Sequence, residues 1–293
     1  MGTLYLVATP IGNLEDITLR ALRILREVRL IAAEDTRHTR KLLTHFGIAT
    51  PTLSYHEHSP PARRDLIIEA LAAGDVALVS DAGTPAISDP GQDLVQAAIA
   101  AGYPVVPIPG ATAVISALIA SGLPTDHFTF LGFLPRKVSE RRALLEASRA
   151  LPHTLILYEA PHRLRSCLDD LLAVLGDRQV ALARELTKLH EEMLRGTLAE
   201  MRARYTGESE PRGEYVIVVA GASTATTTSE DIADELAPEE AVQAFLKELL
   251  ASGASTREAA AAAAKATGIP KRDAYRMALD IAGRLNERTP NDS

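Results

Sequence analysis

The stretch that decides the fold is ALVSDAGTPAISDPG, residues 77–91. An apolar run that predicts a buried strand ends there in a polar segment with two glycines and two prolines. Open α/β sheets bind their ligands beyond the carboxyl ends of such strands. Gly83 can adopt a positive φ or let a ligand approach the backbone, and the prolines stiffen the loop. We therefore interpret the stretch as a ligand site, with Asp81 and Asp89 beside it, rather than as an ordinary strand–helix connection.

Short apolar runs alternate with helical patterns on both sides of this stretch. Strands are predicted at residues 4–8, 30–33, 53–55, 76–80 and 105–108. Helices are predicted between them, and the one after the central loop is expected at residues 89–101. Continuous apolar strands that alternate with helices are typical of a parallel sheet covered on both faces. Residues 1–119 are therefore expected to form an α/β domain.

The pattern changes after residue 119. Strands are predicted at residues 128–131, 154–158, 180–184, 192–196 and 215–219. The third and fourth of these resemble paired antiparallel strands, so residues 120–221 are expected to form a second α/β domain with a mixed sheet.

The last part of the chain has a different composition. Residues 222–240 are rich in Ser, Thr, Ala and acids, which predicts a linker. Residues 241–293 predict a small helical domain, in which residues 255–266 and 271–285 resemble a helix-turn-helix. A DNA-reading role and a docking role are both open for it.

Composition narrows the class of protein. Of 293 residues 46% are apolar, and no segment approaches the roughly 18 uninterrupted apolar residues of a membrane span. The single cysteine, Cys167, excludes an intramolecular disulfide and is expected to pack in a helix. A soluble protein of the reducing cytoplasm is therefore expected. The net charge of −7 disfavours a general nucleic-acid coat, but residues 133–205 carry 13 Lys and Arg against 10 acids, which permits one polyanion-binding face.

Polar groups at the ends of the predicted parallel strands form one composite site. The segments at residues 9–13, 34–37, 80–89 and 109–112 should converge at one sheet edge. Glu34 and Asp35 have the chemistry of a general base and a binding acid, with Arg37 as partner, although acids also favour any helix N-terminus. The sequence holds no P-loop, and no G-x-G-x-x-G follows the first strand. His56 and His58 have the spacing of metal ligands, but no third ligand is evident, so a polar loop and no metal is expected.

The second domain contributes further polar segments. YEAPHR at residues 158–163 and RELTK at residues 184–188 each follow a predicted strand. A basic cluster near the start of this domain comprises Arg136, Lys137, Arg141 and Arg142. Each is ordinarily a solvated helix residue, but together on one side of a cleft they suit a phosphate backbone.

These motifs, taken together, resemble a known family. They are TPIGNLEDIT (9–18), AEDTR (33–37), SYHEH (54–58), VSDAGTPAISDPG (79–91), PIPGATA (107–113), GFLPRK (132–137), YEAPHR (158–163) and ARELTKLHEE (183–192). In order and spacing they resemble the bacterial 16S ribosomal RNA (cytidine-2′-O)-methyltransferases of the tetrapyrrole (precorrin/uroporphyrinogen) methylase superfamily. The resemblance covers about residues 3–221, and the last helices are similar to that family's C-terminal helix-turn-helix-like domain.

The resemblance implies two α/β domains with S-adenosylmethionine in the cleft between them, a small all-α C-terminal domain, and a homodimer. It implies methylation of a cytidine 2′-hydroxyl in the decoding region of 16S rRNA, either free or in the assembled small subunit. Carried over by motif, the cofactor contacts are Pro10, Asp81, Ala82, Gly83, Thr84, Ile87, Thr112, Ala113, Tyr158 and Glu159. Thr84 departs from the superfamily, which has an acid there, and Glu159 stands where corrin-type members often have Met.

Within this resemblance the enzyme must align the 2′-oxygen with the methyl group and accept the hydroxyl proton. Asp35 and Glu185 are the leading base candidates, and Glu159 is the third. The residues expected to contact RNA are Arg37, Arg136, Lys137, Arg163 and Lys188. Two other functions stay open, carbon methylation of a tetrapyrrole and a ligand-sensing DNA-binding regulator.

Overall fold

The computed structural model describes residues 2–205, 211–222, 239–251 and 254–286. The chain divides into two compact units, Met1–Ala222 and Ser223–Ser293. Most of the predicted linker, residues 223–238, lies outside the described residues.

The first unit begins with the predicted parallel sheet. Its strands are β1 (Leu4–Val7), β2 (Leu30–Ala33), β3 (Thr52–Ser54), β4 (Val76–Val79) and β5 (Val105–Ile108). Their order is β3-β2-β4-β1-β5, and all pairs are parallel. The carboxyl ends of β1, β2, β4 and β5 therefore lie side by side, so that the loops after them meet at one edge.

Helices cover both faces of this sheet. They are α1 (Leu19–Glu27), α2 (Thr36–His45), α3 (Pro61–Ala73) and α4 (Gln92–Ala100). Alternate residues of β4 point to opposite faces, since Val79 packs in the cluster of α1 and α2 and Leu78 in that of α3 and α4. The prediction that α4 starts at Asp89 was wrong, because Gly91 adopts a φ of +132° and ends the loop just before Gln92.

The second sheet is mixed, as predicted. Its strands are β6 (Phe128–Phe133), β7 (Thr154–Glu159), β8 (Gln179–Arg184), β9 (Glu192–Thr197) and β10 (Tyr215–Val219), in the order β6-β7-β10-β8-β9. Only β6 and β7 pair in parallel among these strands. One face is covered by α6 (Val138–Ser148), α7 (Leu164–Leu175) and α8 (Leu198–Arg204). The buried Cys167 packs in this core, as expected.

The other face of the second sheet is covered by α5 (Ala113–Ser121), a helix that follows β5 of the first sheet. Val114, Ala117 and Leu118 of α5 pack against Ala181 of β8 and Val218 of β10. This helix therefore joins the two sheets into one unit, and its first residues lie where the sheets meet.

The second unit is helical, with α9 (Glu239–Ala251), α10 (Thr256–Thr267) and α11 (Lys271–Asn286). Its core consists mainly of small residues such as Ala259, Ala263 and Ala278. Ser255 and Glu258 form a capping box that starts α10, and the short link from Gly268 to α11 has the predicted spacing. None of the helices in the described ranges is long and apolar enough to cross a bilayer.

Candidate active site

A cavity of about 500 Å³ lies between the two sheets of the first unit. The loops after β1, β4 and β5 form one side of it, and the ends of β6 and β7 with β8, β10 and the segment after β8 form the other. Of the residues predicted to bind a cofactor, eight line this cavity: Ala82, Gly83, Thr84, Ile87, Thr112, Ala113, Tyr158 and Glu159. The cavity has the volume typical of sites for small molecules.

The loop after β4 has an unusual backbone. Gly83 has a φ of +80°, and Ala86 and Ser88 have values of +67° and +60° although they carry side chains. Left-handed non-glycine residues are costly and concentrate at functional sites. Gly83 exchanges two backbone hydrogen bonds with Thr9, of 2.9 and 3.1 Å, which tie this loop to the end of β1. The loop thus presents Ile87, which is 45% exposed, at the cavity.

Two predicted cofactor residues, Pro10 and Asp81, are not among the lining residues. Pro10 follows Thr9, which bridges to Gly83. The Asp81 carboxylate accepts a hydrogen bond from the Asp35 N–H at 3.1 Å, and the Asp81 N–H donates to Glu34 at 3.3 Å. Asp81 therefore connects the loops after β2 and β4, and Pro10 lies next to the residue that ties the end of β1 to Gly83.

The loop after β5 approaches the end of β1 closely. A Cβ added to Gly110 would lie 2.9 Å from the Cβ of Ala8, so only glycine fits there without movement. Thr112 and Ala113 then begin α5 at the cavity wall. The N–H groups of a helix's first turn have no partners within the helix and are suited to bind a carboxylate or phosphate.

Glu159, at the end of β7, is a fully buried side chain in the cavity wall. Its Oε1 accepts a hydrogen bond from the Ala160 N–H at 2.9 Å and lies 3.2 Å from Nε of Arg163. Its Oε2 has no hydrogen-bond partner within the described part of the chain. Arg163 also donates to the carbonyl oxygens of Leu134 and Pro135, so this predicted RNA contact is 18% exposed and engaged within the fold.

Lys188 and Glu185 form a small charged group after β8. Lys188, which lines the cavity, donates to Glu185 at 2.9 Å and to Glu214 at 2.8 Å. Burial raises the pKa of Glu185, but the hydrogen bonds from the Glu214 N–H and from Lys188 outweigh it, so that the pKa is lowered. Gly12 packs directly on the Lys188 side chain, which closes the cavity beside β1. Glu185 itself is not a lining residue.

Asp35, the other leading base candidate, lies outside the cavity lining. It is the N-cap of α2, and its carboxylate also pairs with Arg37 at 2.7 Å. The hydrogen bond from the Arg37 guanidinium holds the pKa of Asp35 well below its usual range. A carboxylate with a lowered pKa is a weak base.

Asp89 is a carboxyl group in the cavity lining that is not among the predicted base candidates. It lines the cavity and is half-buried. Burial, followed by the charge of Glu34, raises the pKa of Asp89 to about 6. Burial also raises the pKa of Glu34. The sequence contained a signal, because Asp89 is in the opening stretch, but its burial depends on contacts between strands that the sequence does not reveal.

The predicted basic cluster is divided in the structure. Arg136 and Lys137 are exposed, and so is Arg37. The expectation that Arg141 faces a phosphate backbone was wrong, because it is buried and pairs with Asp170 at 2.5 Å. Asp170 also pairs with the half-exposed Arg142 at 2.6 Å. Of the two adjacent arginines of α6, one therefore lies in the core and the other is half-exposed.

Two other features complete the region. Phe133 is 54% exposed at the cavity, and its ring lies 5.4 Å from that of Tyr158. His56 and His58 are exposed, and the described ranges contain no group of three metal-ligating side chains.

Comparisons with known proteins agree with this architecture. The family model for Tetrapyrrole (Corrin/Porphyrin) Methylases matches residues 3–202, and that for the RsmI C-terminal HTH domain matches residues 235–282. The crystal structure of diphthine synthase superposes with a TM-score of 0.58 at 17% identity, covering 75% of this chain and 90% of that one. Uroporphyrin-III-C-methyltransferase from Thermus thermophilus gives 0.52 at 24% identity, covering 74% and 94%.

Two relatives are much more similar in sequence. The ribosomal RNA small subunit methyltransferase I of Halalkalibacterium halodurans is 51% identical over 277 residues, 94% of each chain. The protein of the same name from Synechocystis sp. is 50% identical over 286 residues, 96% of this chain and 99% of that one. The chain therefore belongs to the tetrapyrrole (corrin/porphyrin) methylase family and, within it, to the ribosomal RNA small subunit methyltransferase I group.

Proposed function

We propose that this chain is an S-adenosylmethionine-dependent methyltransferase that methylates the ribose 2′-hydroxyl group of a cytidine in the decoding region of 16S rRNA. The observation that carries the proposal is the identity of about half of all residues, over more than nine-tenths of the chain, to relatives named ribosomal RNA small subunit methyltransferase I. A cytoplasmic location and a homodimer remain predictions of the resemblance.

The residues around the cavity fit the proposed cofactor. Ile87, Ala113 and Val216 offer apolar surface, and the start of α5 offers N–H groups to a carboxylate. The free Oε2 of Glu159 is an acceptor for a ligand hydroxyl or amino group. When bound, S-adenosylmethionine supplies a methyl group on a positively charged sulfur, which is electrophilic without further activation.

We assign the eight lining residues named above to the cofactor site, and Pro10 and Asp81 to holding its loops. For Asp81 this assignment is supported by its hydrogen bonds to Glu34 and to the Asp35 N–H, and for Pro10 by its position next to Thr9, which bridges to Gly83. The protein's remaining task is to orient the target oxygen, and orientation alone is worth several kcal/mol in such reactions.

An RNA substrate is supported by the surface beside the cavity. Phe133, the last residue of β6, presents an exposed ring on which a nucleobase can stack, and Arg136 and Lys137 follow in the loop between β6 and α6. We propose that Arg136, Lys137 and Arg37 contact phosphates. Arg163 is proposed to hold this loop, through the carbonyl oxygens of Leu134 and Pro135. Lys188 is proposed to lie at the substrate side of the cavity.

The test is methyl transfer by the full chain from labelled S-adenosylmethionine to three substrates. These are small ribosomal subunits from cells that lack the protein, 16S rRNA freed from them, and uroporphyrinogen. Label in RNA, located at a cytidine 2′-oxygen by mapping, supports the proposal, and label only in uroporphyrinogen would replace it with carbon methylation. Transfer to RNA should weaken steeply with salt if phosphate contacts contribute to binding.

The C-terminal helices offer a check on the rival regulatory role. If the chain were a DNA-binding regulator, removing residues 239–293 would abolish binding to random DNA duplex. A gel shift of the full chain and the shortened one, with and without S-adenosylmethionine, measures this. We expect no tight duplex binding in either case.

A further inference from the structure

We propose that Asp89 accepts the proton of the hydroxyl group that becomes methylated. This inference rests on the proposed methyl transfer to a ribose, and it replaces Asp35, Glu185 and Glu159 in that one role.

The position of Asp89 in the cavity wall favours it over the other base candidates. Asp89 and Glu159 line the cavity, whereas Asp35 and Glu185 do not. Glu159 is fully buried at the end of β7, and its Oε1 already interacts with the Ala160 N–H and with Arg163. Asp89 is in a loop and remains partly accessible, as a group that receives a proton and passes it to water must be.

The backbone conformation on either side of Asp89 also favours this role. The left-handed Ala86 and Ser88 and the positive φ of Gly91 direct the chain so that Ile87, Ser88 and Asp89 all reach the cavity. A regular continuation into α4 would place Asp89 in the first turn of that helix. The structure instead keeps this carboxyl group apart from the helix, at the cost of two unfavourable backbone conformations.

The groups that face Asp89 are mostly acidic or polar. Glu34 and Asp81 act on it with like charge, the Ser80 hydroxyl is within hydrogen-bonding reach, and the Tyr158 hydroxyl is close enough to feel its charge. The cavity also contains Lys188, which is engaged with Glu185 and Glu214. Burial and the neighbouring carboxylates together make Asp89 a stronger base than an ordinary aspartate.

The proposed methyl transfer needs no reactant besides the ribose hydroxyl group, S-adenosylmethionine and water. The ribose oxygen forms a bond to the methyl carbon as the bond from that carbon to sulfur breaks, and the electron pair stays on sulfur. The O–H proton moves to a carboxylate oxygen of Asp89, which later releases it to water. A base with a pKa near 6 is largely ionised at neutral pH and still accepts a proton effectively.

The experiment compares four variants of the full chain, Asp89→Asn, Asp89→Glu, Asp35→Asn and Asp93→Asn. Asp93 is the matched control, because it lies just after Asp89, accepts a hydrogen bond from the Tyr55 hydroxyl and is not a lining residue. Methyl transfer to small subunits is measured from about pH 5 to about pH 9, and affinity for S-adenosylhomocysteine is measured by calorimetry.

We expect Asp89→Asn to lower kcat by about 10²- to 10⁴-fold and to abolish the fall in rate on the acid side near pH 6, with unchanged affinity for S-adenosylhomocysteine. Asp89→Glu should keep part of the activity and the acid-side fall. Near wild-type kcat in Asp89→Asn, or an acid-side fall that vanishes in Asp35→Asn instead, would overturn the proposal while leaving the methyltransferase function intact. Failure of the wild-type chain to methylate any RNA would overturn both.

Discussion

Beside β4, the Asp89 carboxyl group has Glu34 and Asp81 for neighbours, and its pKa rises to about 6. Beside the second sheet, the Asp170 carboxylate has Arg141 and Arg142 for neighbours, at 2.5 and 2.6 Å. Burial and the like charge of Glu34 make ionisation of Asp89 costly, whereas Asp170 is buried together with two partners of opposite charge. The difference indicates that the loop after β4 places a carboxyl group with a raised pKa at the cavity, whereas the buried group of Asp170, Arg141 and Arg142 joins α6 to α7 in the layer that covers the second sheet.

Replacing Asp170 by Ala should have the largest effect on stability. The side chains of Asp170 and Arg141 are 4% and 5% exposed, so removal of one leaves a buried charge without compensation. We expect a loss of about 3–5 kcal/mol in the free energy of unfolding, measured with denaturant. The neighbouring Asp169→Ala is the matched control, because its pair with Arg202 is half-exposed and should contribute less than about 1 kcal/mol. Equal losses in the two variants would mean that the buried pair of Asp170 and Arg141 contributes no more to stability than the half-exposed pair.

On the side of the cavity formed by the first sheet, ligand affinity should depend on the backbone geometry of the loop after β4 rather than on ion pairs. In Gly83→Ala the added Cβ lies 3.2 Å from Cγ2 of Ile11 at a φ of +80°, inside the cavity wall. We expect affinity for S-adenosylhomocysteine to fall by about 10-fold, because the loop must shift. Gly122→Ala has nearly the same φ, +82°, but open space around its Cβ. Gly122→Ala should be less stable but should bind S-adenosylhomocysteine as tightly as the wild type. An equal loss of affinity in the two variants would show that the position of Gly83 in the cavity wall is not the cause.

Asp89→Asn should raise stability at neutral pH. A raised pKa in the folded state means that Asp89 stabilises the fold below its unfolded pKa of about 4, and that this advantage is lost as the pH rises towards 6. The neutral variant avoids that loss. We expect it to be about 1 kcal/mol more stable than the wild type at pH 8, a figure reduced for partial exposure, and no more stable at pH 4. Thermal unfolding across this range measures the difference in stability, and a difference that stays constant with pH would contradict a pKa raised by burial and by the charge of Glu34.

Much of this architecture is predictable from sequence because it depends on local signals. The apolar runs predict all ten described strands to within two residues or so, and the glycines and prolines of residues 77–91 identify the cavity loop. The eight lining residues come from motifs carried over from a family, since nothing local distinguishes Thr112 from other helix caps.

Other features depend on contacts between distant residues. Arg141 has the same sequence signature as Arg142, and only the approach of α7, 29 residues later, buries one of them. Asp35 and Asp89 both lie in loops that follow parallel strands. Arg37 is two residues from Asp35, whereas Asp89 lies near an acid of the loop after β2 and an acid of its own loop. A sequence pattern identifies an acid at a strand end, but its strength as a base depends on which charges the fold brings near.

Asp35 gives the smallest effect, with a pH dependence opposite in sign to that of Asp89. It caps α2 and pairs with Arg37, whose side chain is 88% exposed, so Asp35→Ala should lower Tm by only a few degrees at neutral pH. Because the pKa of Asp35 is lowered by folding, its contribution is complete above the unfolded pKa of about 4 and is lost as the pH falls further. Asp35→Ser keeps a capping oxygen without the charge and separates the two effects. The Tm difference between the wild type and Asp35→Ala should therefore shrink as the pH falls. A difference that grew instead would show that folding does not shift the pKa of Asp35 and that of Asp89 in opposite directions.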